Sequence, residues 1–542
     1  MLYSICFIVS LLLTMALIPP LMKAAQRFNL VDVPDARKIH VKIIPRVGGI
    51  AMSVGFIIPV LLWVPFSKPV IGLVIGALII HLFGVWDDRN NLNYKTKFLG
   101  QFIGVLIAVL YGGIVIEYLP FYSYELLPTY VSIPLTIFIL LGVTNAINLA
   151  DGLDGLAGGM VLLSVVAVAL LAYIANGREV ALLSIVLIGC ILGFLRYNTY
   201  PARLFMGDGG SQLLGFALGA LVVMLTQQIN TAMSPVVILL ILGLPILDTL
   251  HVMVRRLISG YSPFLADNNH VHHKLLSFGF DHYEAVTIVY IVQALLVSSA
   301  YVLCYQSDAL ILGLYLTVGA VLLTALYYAE YSHWRLRDKT DTYKSYFIKR
   351  IYWLRETQLI SIGAYWVIKL LVPLFLVLGA LTPIEMPRDI STFALMLVSA
   401  LLIAFFWRRC PSYFLEKATV YTTCALVVYL MHMHSWERAS FDPLITIFFV
   451  LLAITLVVGV RFTGGNEFKT NPLDLLIIFI IVVVPNIPSL GFNDTVAADM
   501  VLKLVLLCYS AEFVLNRYER RWDIIRVGTI GSLFVLGLRG FV

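Results

Sequence analysis

Short polar stretches between long apolar runs carry most of the residues that could do chemistry in this chain. Carboxylates are prominent among them, at Asp87, Asp88, Asp151, Asp154 and Asp208. Carboxylate oxygens are ligands that Mg²⁺ prefers. The lysines, arginines and glycine N–H groups beside them suit phosphate oxygens. These residue types together indicate chemistry on a magnesium-bound diphosphate.

Each stretch taken alone has a simpler explanation. Adjacent carboxylates such as Asp87 and Asp88 can cap a helix end, and the Asp-Gly pairs suit tight turns. The histidines His270, His272 and His273 could bind zinc, but no fourth ligand is evident at that spacing. The interpretation therefore depends on whether the stretches come together.

The composition identifies the class of protein that must position them. Of 542 residues, 60% are hydrophobic and 13% are charged, against roughly 45–50% and 25% in soluble domains. Too little polar surface remains to cover a water-soluble body. The net charge of +6 does not indicate nucleic-acid binding, because the basic residues lie in short loops between apolar runs. We predict an all-α integral membrane protein.

The apolar runs have the length of membrane-spanning helices, about 20 residues each. They begin near residues 2, 48, 69, 98, 130, 156, 180, 209, 233, 284 and 309, and then near 361, 390, 418, 443, 474, 498 and 524. This pattern predicts a bundle of about 11 helices followed by about 7 more.

The charges of the loops predict the orientation. With the N-terminus outside, loops 23–47, 86–97, 149–155, 196–208 and 254–282 fall on one side, and they carry fourteen Lys and Arg residues. The loops on the other side carry only Lys68 and Arg178. Positive residues favour the cytoplasmic side, so all the polar clusters are predicted to share the cytoplasmic face. Acids clustered at a membrane boundary are usually functional, which favours a joint site.

The stretch that follows the first bundle divides the chain into three parts. We predict a catalytic membrane domain at 1–330, a basic amphipathic linker on the cytoplasmic leaflet at 331–359, and a C-terminal transmembrane region at 360–542. The C-terminal region shows no comparable carboxylate cluster, and its role stays open.

Five motifs in order give the first 330 residues a resemblance to a known family. They include Gly84–Asp88 with Lys97–Gln101, Asn145–Leu156, Phe205–Ser211 and His270–His273. The chain resembles the polyprenyl-phosphate N-acetylhexosamine-1-phosphate transferases (the WecA/MraY type), with an extra C-terminal membrane region. The resemblance implies a Mg²⁺-dependent enzyme, with Mn²⁺ as an alternative metal. It would transfer the sugar 1-phosphate from a UDP-N-acetylhexosamine to a polyprenyl phosphate and release UMP.

The resemblance also implies roles for single residues. Asp208 is the expected metal ligand, with Asp88 near the metal and Asp87 as a base toward the lipid phosphate. Asn198 would lie near the nucleotide phosphates, and Phe205 would stack on uracil. The nucleotide-sugar pocket would hold Asn145, Asn148, Asp151 and Asp154. Phosphate or sugar contacts are expected from Lys38, His40, His270, His272 and His273.

The motif His270-Val271-His272-His273 indicates the branch of the family. It is similar to the WecA-like branch that uses UDP-GlcNAc or related sugars. The expected role is initiation of an O-antigen, common-antigen or teichoic-acid type glycan on undecaprenyl phosphate at the bacterial cytoplasmic membrane. The sequence leaves open whether the protein forms a homodimer, and we expect no binding to nucleic acid.

Three other interpretations compete with this one. A phospho-N-acetylmuramoyl-pentapeptide transferase is the alternative within the enzyme class. A flippase or transporter of a lipid-linked sugar would show charges in a central cavity and inverted repeats. An inactive membrane scaffold is the third.

Overall fold

The computed structural model describes residues 2–32, 43–121, 126–262, 269–336, 359–381, 388–406, 412–433, 442–461, 495–515 and 524–541. Almost all of these residues are helical, and the one sheet among them is a pair of two-residue antiparallel strands. The chain divides into two compact units: the described residues up to 336 belong to the first, and those from 359 onward belong to the second.

The first unit contains twelve α-helices and the two strands among its described residues. In chain order they are α1 (Leu2–Ala25), β1 (Val31–Asp32), β2 (Ile44–Pro45), α2 (Gly48–Trp63), α3 (Lys68–Asn90), α4 (Tyr94–Leu110), α5 (Thr129–Ala150), α6 (Leu156–Ile174), α7 (Arg178–Asn198), α8 (Gly207–Val223), α9 (Val237–Ile258), α10 (Val271–Ser277), α11 (His282–Leu303) and α12 (Asp308–Tyr331). A π-helical turn, Met224–Ile229, continues α8.

The second unit contributes six helices to the described part of the chain. They are α13 (Leu359–Leu381), α14 (Arg388–Phe406), α15 (Ser412–Met433), α16 (Asp442–Arg461), α17 (Thr495–Leu515) and α18 (Ile524–Arg539). Helix α13 packs against α16, α17 and α18, and these helices share one apolar core.

Ten of the described helices are long and apolar enough to cross a membrane. This number and the near absence of sheet from the described ranges confirm the prediction of an all-α integral membrane protein. The predicted helix starts are also close to the observed ones: the largest deviations in the first unit are at the runs predicted near 98 and 233, which begin at Tyr94 and Val237. The run predicted near 474 lies outside the described residues.

Local sequence explains several of these starts. Ser67 precedes α3 and accepts the N–H of Val70, and Asn93 precedes α4 and accepts the N–H of Thr96 over 2.9 Å. Asp281 and Glu284 form a reciprocal capping box at the start of α11. Such caps satisfy backbone donors that a helix leaves unpaired at its N-terminus.

Helix α8 is the central helix of the first unit, and it is buried between α2, α3 and α5 from Gly209 onward. Its first turn lies against α3 at a pair of glycines. A methyl group on Gly84 would lie 2.4 Å from the Cα atom of Gly209, so a side chain at this position would force the two backbones apart. The close approach brings the end of α3 to the beginning of α8.

Helix α9 is broken at Gly243, where φ is 46° and ψ is −122°. The backbone groups at the break are bonded by side chains from two other helices. Gln293 of α11 accepts the N–H of Leu244 over 2.9 Å and donates to the carbonyl of Ile241 over 3.1 Å, and Tyr315 of α12 donates to the carbonyl of Gly243 over 3.1 Å. Inside a bilayer no water is present to replace these hydrogen bonds, so the side chains fix the direction of the second half of α9.

Candidate functional site

The end of α3 and the beginning of α8 bring three predicted site residues together. Asp88 Oδ1 accepts the N–H of Asp208 over 2.9 Å, and its Oδ2 accepts the N–H of Gly209 over 3.1 Å. A carboxylate at this place satisfies two unpaired donors and lies at the positive end of the helix dipole. Asp88, which follows Asp87 on α3, therefore holds the first turn of α8, where Asp208 lies.

Lys97 of α4 joins the same group. Its ammonium lies 3.1 Å from Asp87 Oδ2 and also bonds to Asp208 Oδ2. The other oxygen of Asp87 accepts the N–H of Leu92 over 2.7 Å, just past the end of α3. We call Asp87, Asp88, Lys97 and Asp208 the acid–lysine cluster; it unites three helices.

The loop between α5 and α6 is fixed by several backbone contacts. Asp154 Oδ2 accepts the N–H of Ala202 over 2.9 Å. Tyr290 donates to the carbonyl of Gly155 over 2.6 Å, and Asn198 Oδ1 accepts the N–H of Gly155 over 2.9 Å. These bonds hold the loop that carries Asp151 and Asp154.

Burial, together with the nearby carboxylates of Asp208, Asp154 and Asp88, raises the pKa of the Asp151 carboxyl to about 7. Arg46 acts in the opposite direction. A carboxyl group crowded by like charges binds cations more readily, because a cation relieves the repulsion. The effect places Asp151 in electrostatic reach of the acid–lysine cluster.

Asn198, which the resemblance places near the nucleotide phosphates, bonds to the backbone of two loops. It is 2% exposed, and its amide nitrogen donates to the carbonyl of Leu204 over 2.9 Å while its oxygen bonds to Gly155. Its side chain thus ties the loop after α5 to the loop before α8. In this arrangement Asn198 supports the site from behind.

Two asparagines on one face of α5 bond to neighbouring helices. Asn145 donates to Gln101 Oε1 of α4 over 2.9 Å, and Asn148 Oδ1 accepts the hydroxyl of Ser211 of α8 over 2.6 Å. The three-residue spacing puts both on the same side of the helix. They link α5 to the two helices that carry Lys97 and Asp208.

Phe205 is fixed through its backbone and is partly exposed. Its N–H donates to the carbonyl of Pro45 over 2.8 Å, and its carbonyl accepts the N–H of Gly48 over 3.0 Å. This pairing brings the chain after β2 to the same end of the bundle. Lys38 and His40, which the resemblance implies as substrate contacts, lie outside the described residues.

The three histidines lie at a short helix, where the sequence predicts a loop. His270 precedes α10, and its Nδ1 lies 2.9 Å from Asp248 Oδ2 of α9. The N–H of Val271 donates to the other oxygen of Asp248 over 3.0 Å. Asp248 therefore orients the His270 ring and the start of α10 together.

His272 points from α10 toward the loop that carries Asp151. A methyl group on Gly152 would lie 2.1 Å from its Nε2 atom, and this buried nitrogen has no hydrogen-bond partner among the described residues. Burial, together with the neighbouring His273, whose ring centroid is 4.2 Å away, lowers the pKa of His272 to about 3. The ring is neutral near pH 7, so it suits a hydrogen bond to a hydroxyl group better than an ion pair with phosphate.

Two carboxylates of the acid–lysine cluster provide a donor set that fits Mg²⁺. Oxygens of Asp87 and Asp208 converge on one cationic group, the ammonium of Lys97. Magnesium is usually bound through one or two carboxylates together with substrate phosphates. Over the described part of the chain no group of three or more His, Cys, Asp or Glu side chains is arranged as a metal-binding cluster.

Some side chains of the site could not be assigned from the sequence. Lys97 and Gln101 belong to a motif without an implied role, and Asp248 fits a helix terminus as well as a substrate contact. The available signal is their chemistry: each is a polar or charged residue near the end of an apolar run, on the face that carries the motifs. Their partners depend on helix packing, which spacing alone does not give.

The fold and the site define a multi-pass membrane protein with an acidic, phosphate-compatible site at one end of a helix bundle. The sequence model of glycosyl transferase family 4 matches residues 70–226, which include the whole acid–lysine cluster. The chain is 37% identical over 303 residues to the probable undecaprenyl-phosphate N-acetylglucosaminyl 1-phosphate transferase of Bacillus subtilis, covering 55% of this chain and 84% of that protein.

Two further relatives are similar over a comparable length. The chain is 35% identical to the decaprenyl-phosphate N-acetylglucosaminephosphotransferase of Mycolicibacterium smegmatis, covering 49% of this chain and 73% of that one. It is 31% identical to the undecaprenyl-phosphate alpha-N-acetylglucosaminyl 1-phosphate transferase of Escherichia coli K12, covering 51% and 77%. The chain belongs to glycosyl transferase family 4.

Proposed function

We propose that this protein transfers N-acetylglucosamine 1-phosphate from UDP-N-acetylglucosamine to undecaprenyl phosphate, with Mg²⁺ as cofactor and UMP as the second product. The observation that carries the proposal is the convergence of Asp87 and Asp208 on Lys97. Two carboxylates and one ammonium at a membrane boundary suit a metal-bound diphosphate and an anionic lipid headgroup.

The names of the relatives support the choice of substrates. The proteins of Bacillus subtilis and Escherichia coli are named for undecaprenyl phosphate and N-acetylglucosaminyl 1-phosphate. The mycobacterial relative is named for a decaprenyl phosphate and the same sugar. The sugar is common to the three, so N-acetylglucosamine is the favoured N-acetylhexosamine.

The residues of the cluster have distinct parts in the proposed reaction. Asp208 would hold Mg²⁺, with Asp88 near the ion, and Mg²⁺ would neutralise charge on the diphosphate when bound. Lys97 would neutralise a phosphate oxygen. An oxygen of the lipid phosphate attacks the phosphorus that carries the sugar, and the bond from that phosphorus to the UMP oxygen breaks. Asp87 would accept the proton of a singly ionised lipid phosphate.

Asp88 would act mainly by holding Asp208, since both of its oxygens accept N–H groups at the start of α8. A direct bond from Asp88 to the metal would use the remaining lone pairs of these oxygens. His270, oriented by Asp248, and the neutral His272 would contact the sugar or its phosphate. In this scheme Asn198 shapes the loops around the nucleotide.

The excess of Lys and Arg in the loops that carry the motifs supports a site on the cytoplasmic face of the bacterial inner membrane. A UDP-sugar is a soluble, charged donor that reaches this face from the cytoplasm. The lipid product would initiate a cell-surface glycan. The C-terminal region, 360–542, has no part assigned in this reaction.

The decisive experiment is UMP release by the purified full-length protein in detergent. The mixture contains undecaprenyl phosphate, UDP-N-acetylglucosamine and Mg²⁺, and it is run beside the Asp208→Asn variant. Asp308→Asn is the matched control, since Asp308 is a carboxylate at the opposite end of the bundle that accepts the N–H of Phe121. We expect release that requires lipid and metal and falls about 100-fold or more in Asp208→Asn alone.

Other outcomes would overturn parts of the proposal. Release only with UDP-N-acetylmuramoyl-pentapeptide would assign the muramoyl-pentapeptide reaction. Folded protein that releases no UMP with any UDP-N-acetylhexosamine would leave a transporter or an inactive scaffold.

A further inference from the structure

A buried histidine lies behind the acid–lysine cluster, on the same helix as its two adjacent carboxylates. His81 of α3 is 4% exposed. Its Nδ1 atom lies 3.1 Å from the carbonyl oxygen of Gly209, and its Nε2 atom lies 3.1 Å from the hydroxyl oxygen of Ser53 in α2. The ring therefore connects three helices, α2, α3 and α8.

The partners of the ring define its tautomer. A carbonyl oxygen can only accept a hydrogen bond, so the proton lies on Nδ1, which faces Gly209. In the neutral ring Nε2 is then an acceptor for the Ser53 hydroxyl, whose one proton is shared between Nε2 and the carbonyl of Ile50, 2.9 Å from the hydroxyl oxygen. The neutral form is the one an apolar setting favours, because burying a charged group without a partner is costly.

His81 and Asp88 hold the same residue of α8 from both sides. Asp88 Oδ2 accepts the N–H of Gly209 over 3.1 Å, while His81 donates to the carbonyl of Gly209. The two residues are seven positions apart on α3, two helical turns, and so lie on one face. Gly209 directly follows Asp208, whose N–H is held by Asp88 as well.

We propose that His81 is a positioning residue for Asp208: by holding the Gly209 carbonyl it fixes the first turn of α8 and the direction of the Asp208 carboxylate. This inference rests on the proposed function in one respect, that Asp208 holds the metal. Both hydrogen bonds of the His81 ring go to Gly209 and Ser53 rather than to the acid–lysine cluster, so His81 would act through the backbone of α8.

Outer residues that orient a metal ligand typically change metal affinity or activity by roughly 10- to 100-fold when removed. We expect that loss in His81→Gln, whose amide reaches the place of Nε2 and leaves Gly209 without its donor. His81→Asn should recover most of the loss, because its amide nitrogen lies at the place of Nδ1. Ser53→Ala should lower the metal affinity by a smaller factor, about threefold, since it removes only the hydroxyl group that fixes the His81 ring.

The experiment measures Mn²⁺ binding by electron paramagnetic resonance in the full-length protein without substrates, and Mg²⁺-dependent UMP release beside it. Ser184→Ala is the matched control for Ser53→Ala: Ser184 is equally buried, but its hydroxyl bonds to the carbonyl of Val180 in its own helix. The supporting result is weaker metal binding, most of all in His81→Gln and less in Ser53→Ala and His81→Asn, with the Michaelis constant for the donor changed less than the metal affinity.

Two results would overturn the inference. One is equal Mn²⁺ affinity in wild type, His81→Gln and Ser53→Ala, which would leave His81 a packing residue. The other is a wild-type Mn²⁺ site that Asp208→Asn does not affect. Should His81→Gln fail to fold, Ser53→Ala and His81→Asn still decide between these outcomes.

The failure of the proposed function has a different signature. Wild-type protein that binds Mn²⁺ at Asp208 but releases no UMP with any donor would refute the transferase assignment. The Mn²⁺ affinities of wild type and the His81 variants would still test the role of His81 independently of the reaction.

Discussion

His270 Nδ1 lies 2.9 Å from Asp248 Oδ2, so a carboxylate within α9 sets the orientation of the first histidine of the His270–His273 motif. The same carboxylate accepts the N–H of Val271 over 3.0 Å, at the residue that begins α10. Asp248 and His270 are both buried. The direction of the motif is thus decided by a helix that contributes no predicted site residue.

Replacing this carboxylate should impair the reaction without removing the fold. In Asp248→Asn the charge-assisted bond to His270 is lost, a contribution of about 1.5–3 kcal/mol, which corresponds to roughly a 10- to 150-fold lower kcat/KM. Asp308→Asn is the control, because Asp308 also accepts a backbone N–H group but lies away from the motifs. Equal activity of Asp248→Asn and wild type in the UMP-release assay would show that the orientation of His270 is irrelevant.

Lys97→Gln should separate metal binding from catalysis. The variant removes the ammonium that Asp87 and Asp208 share, so the two carboxylates should bind Mn²⁺ more tightly in the absence of substrates. At about 4 Å a unit charge contributes roughly 1–4 kcal/mol, depending on the surrounding dielectric, so a site about tenfold tighter is expected. Turnover should nevertheless fall about 100-fold, because a phosphate loses its cationic partner. Weaker Mn²⁺ binding in this variant would contradict the prediction.

The neutral state of His272 predicts how stability changes with acidity. Burial lowers its pKa to about 3 in the folded protein, whereas an unfolded histidine has a pKa of about 6.5. Between these values the unfolded state binds the extra proton, so stability decreases as the pH falls from about 6.5 toward 3. His272→Asn should lessen the fall in Tm between about pH 7 and pH 5.

The test is thermal unfolding in detergent with and without this substitution. His333→Asn provides the comparison, since His333 follows α12 and is exposed. An identical pH slope of Tm in wild type and His272→Asn would refute a buried neutral ring.

The ion pair of Lys274 and Glu330 should contribute little to stability, despite its position beside the histidines. Lys274 Nζ lies 2.9 Å from Glu330 Oε2, but the Glu330 side chain is 48% exposed. Pairs accessible to water typically contribute about 0.2–1 kcal/mol. A double-mutant cycle with Lys274→Met and Glu330→Gln, read by thermal unfolding, should give a coupling within that range and a dependence on salt. A coupling above roughly 2 kcal/mol would mean that the pair is shielded from solvent.

The sequence predicts the helices of the first unit well, because a span must be long and apolar to replace water as a partner of its backbone. It also predicts which clusters meet: Asp88 bonds to the backbone of Asp208 across 120 positions of sequence. The glycines at 84 and 209 are a further signal of close approach.

The sequence does not predict which oxygen meets which donor. The sharing of Lys97 between two carboxylates and the bond from Asp248 to His270 depend on the rotation and depth of α4 and α9. A run of twenty apolar residues specifies a span and leaves its rotation to packing. The short helix α10 escapes prediction for another reason: seven residues are too few to give a clear periodic pattern.

The break of α9 at Gly243 forms a rigid bend in the helix. Bending it further would require three hydrogen bonds from Gln293 and Tyr315 to separate in surroundings where no water can replace them. When the thickness of the bilayer changes, the two halves of α9 would therefore move together as one rigid body. Asp248, just beyond the bend, would keep its hydrogen bond to His270 as the surrounding lipid changes. The position of the histidine motif relative to α9 would therefore not depend on the thickness of the bilayer.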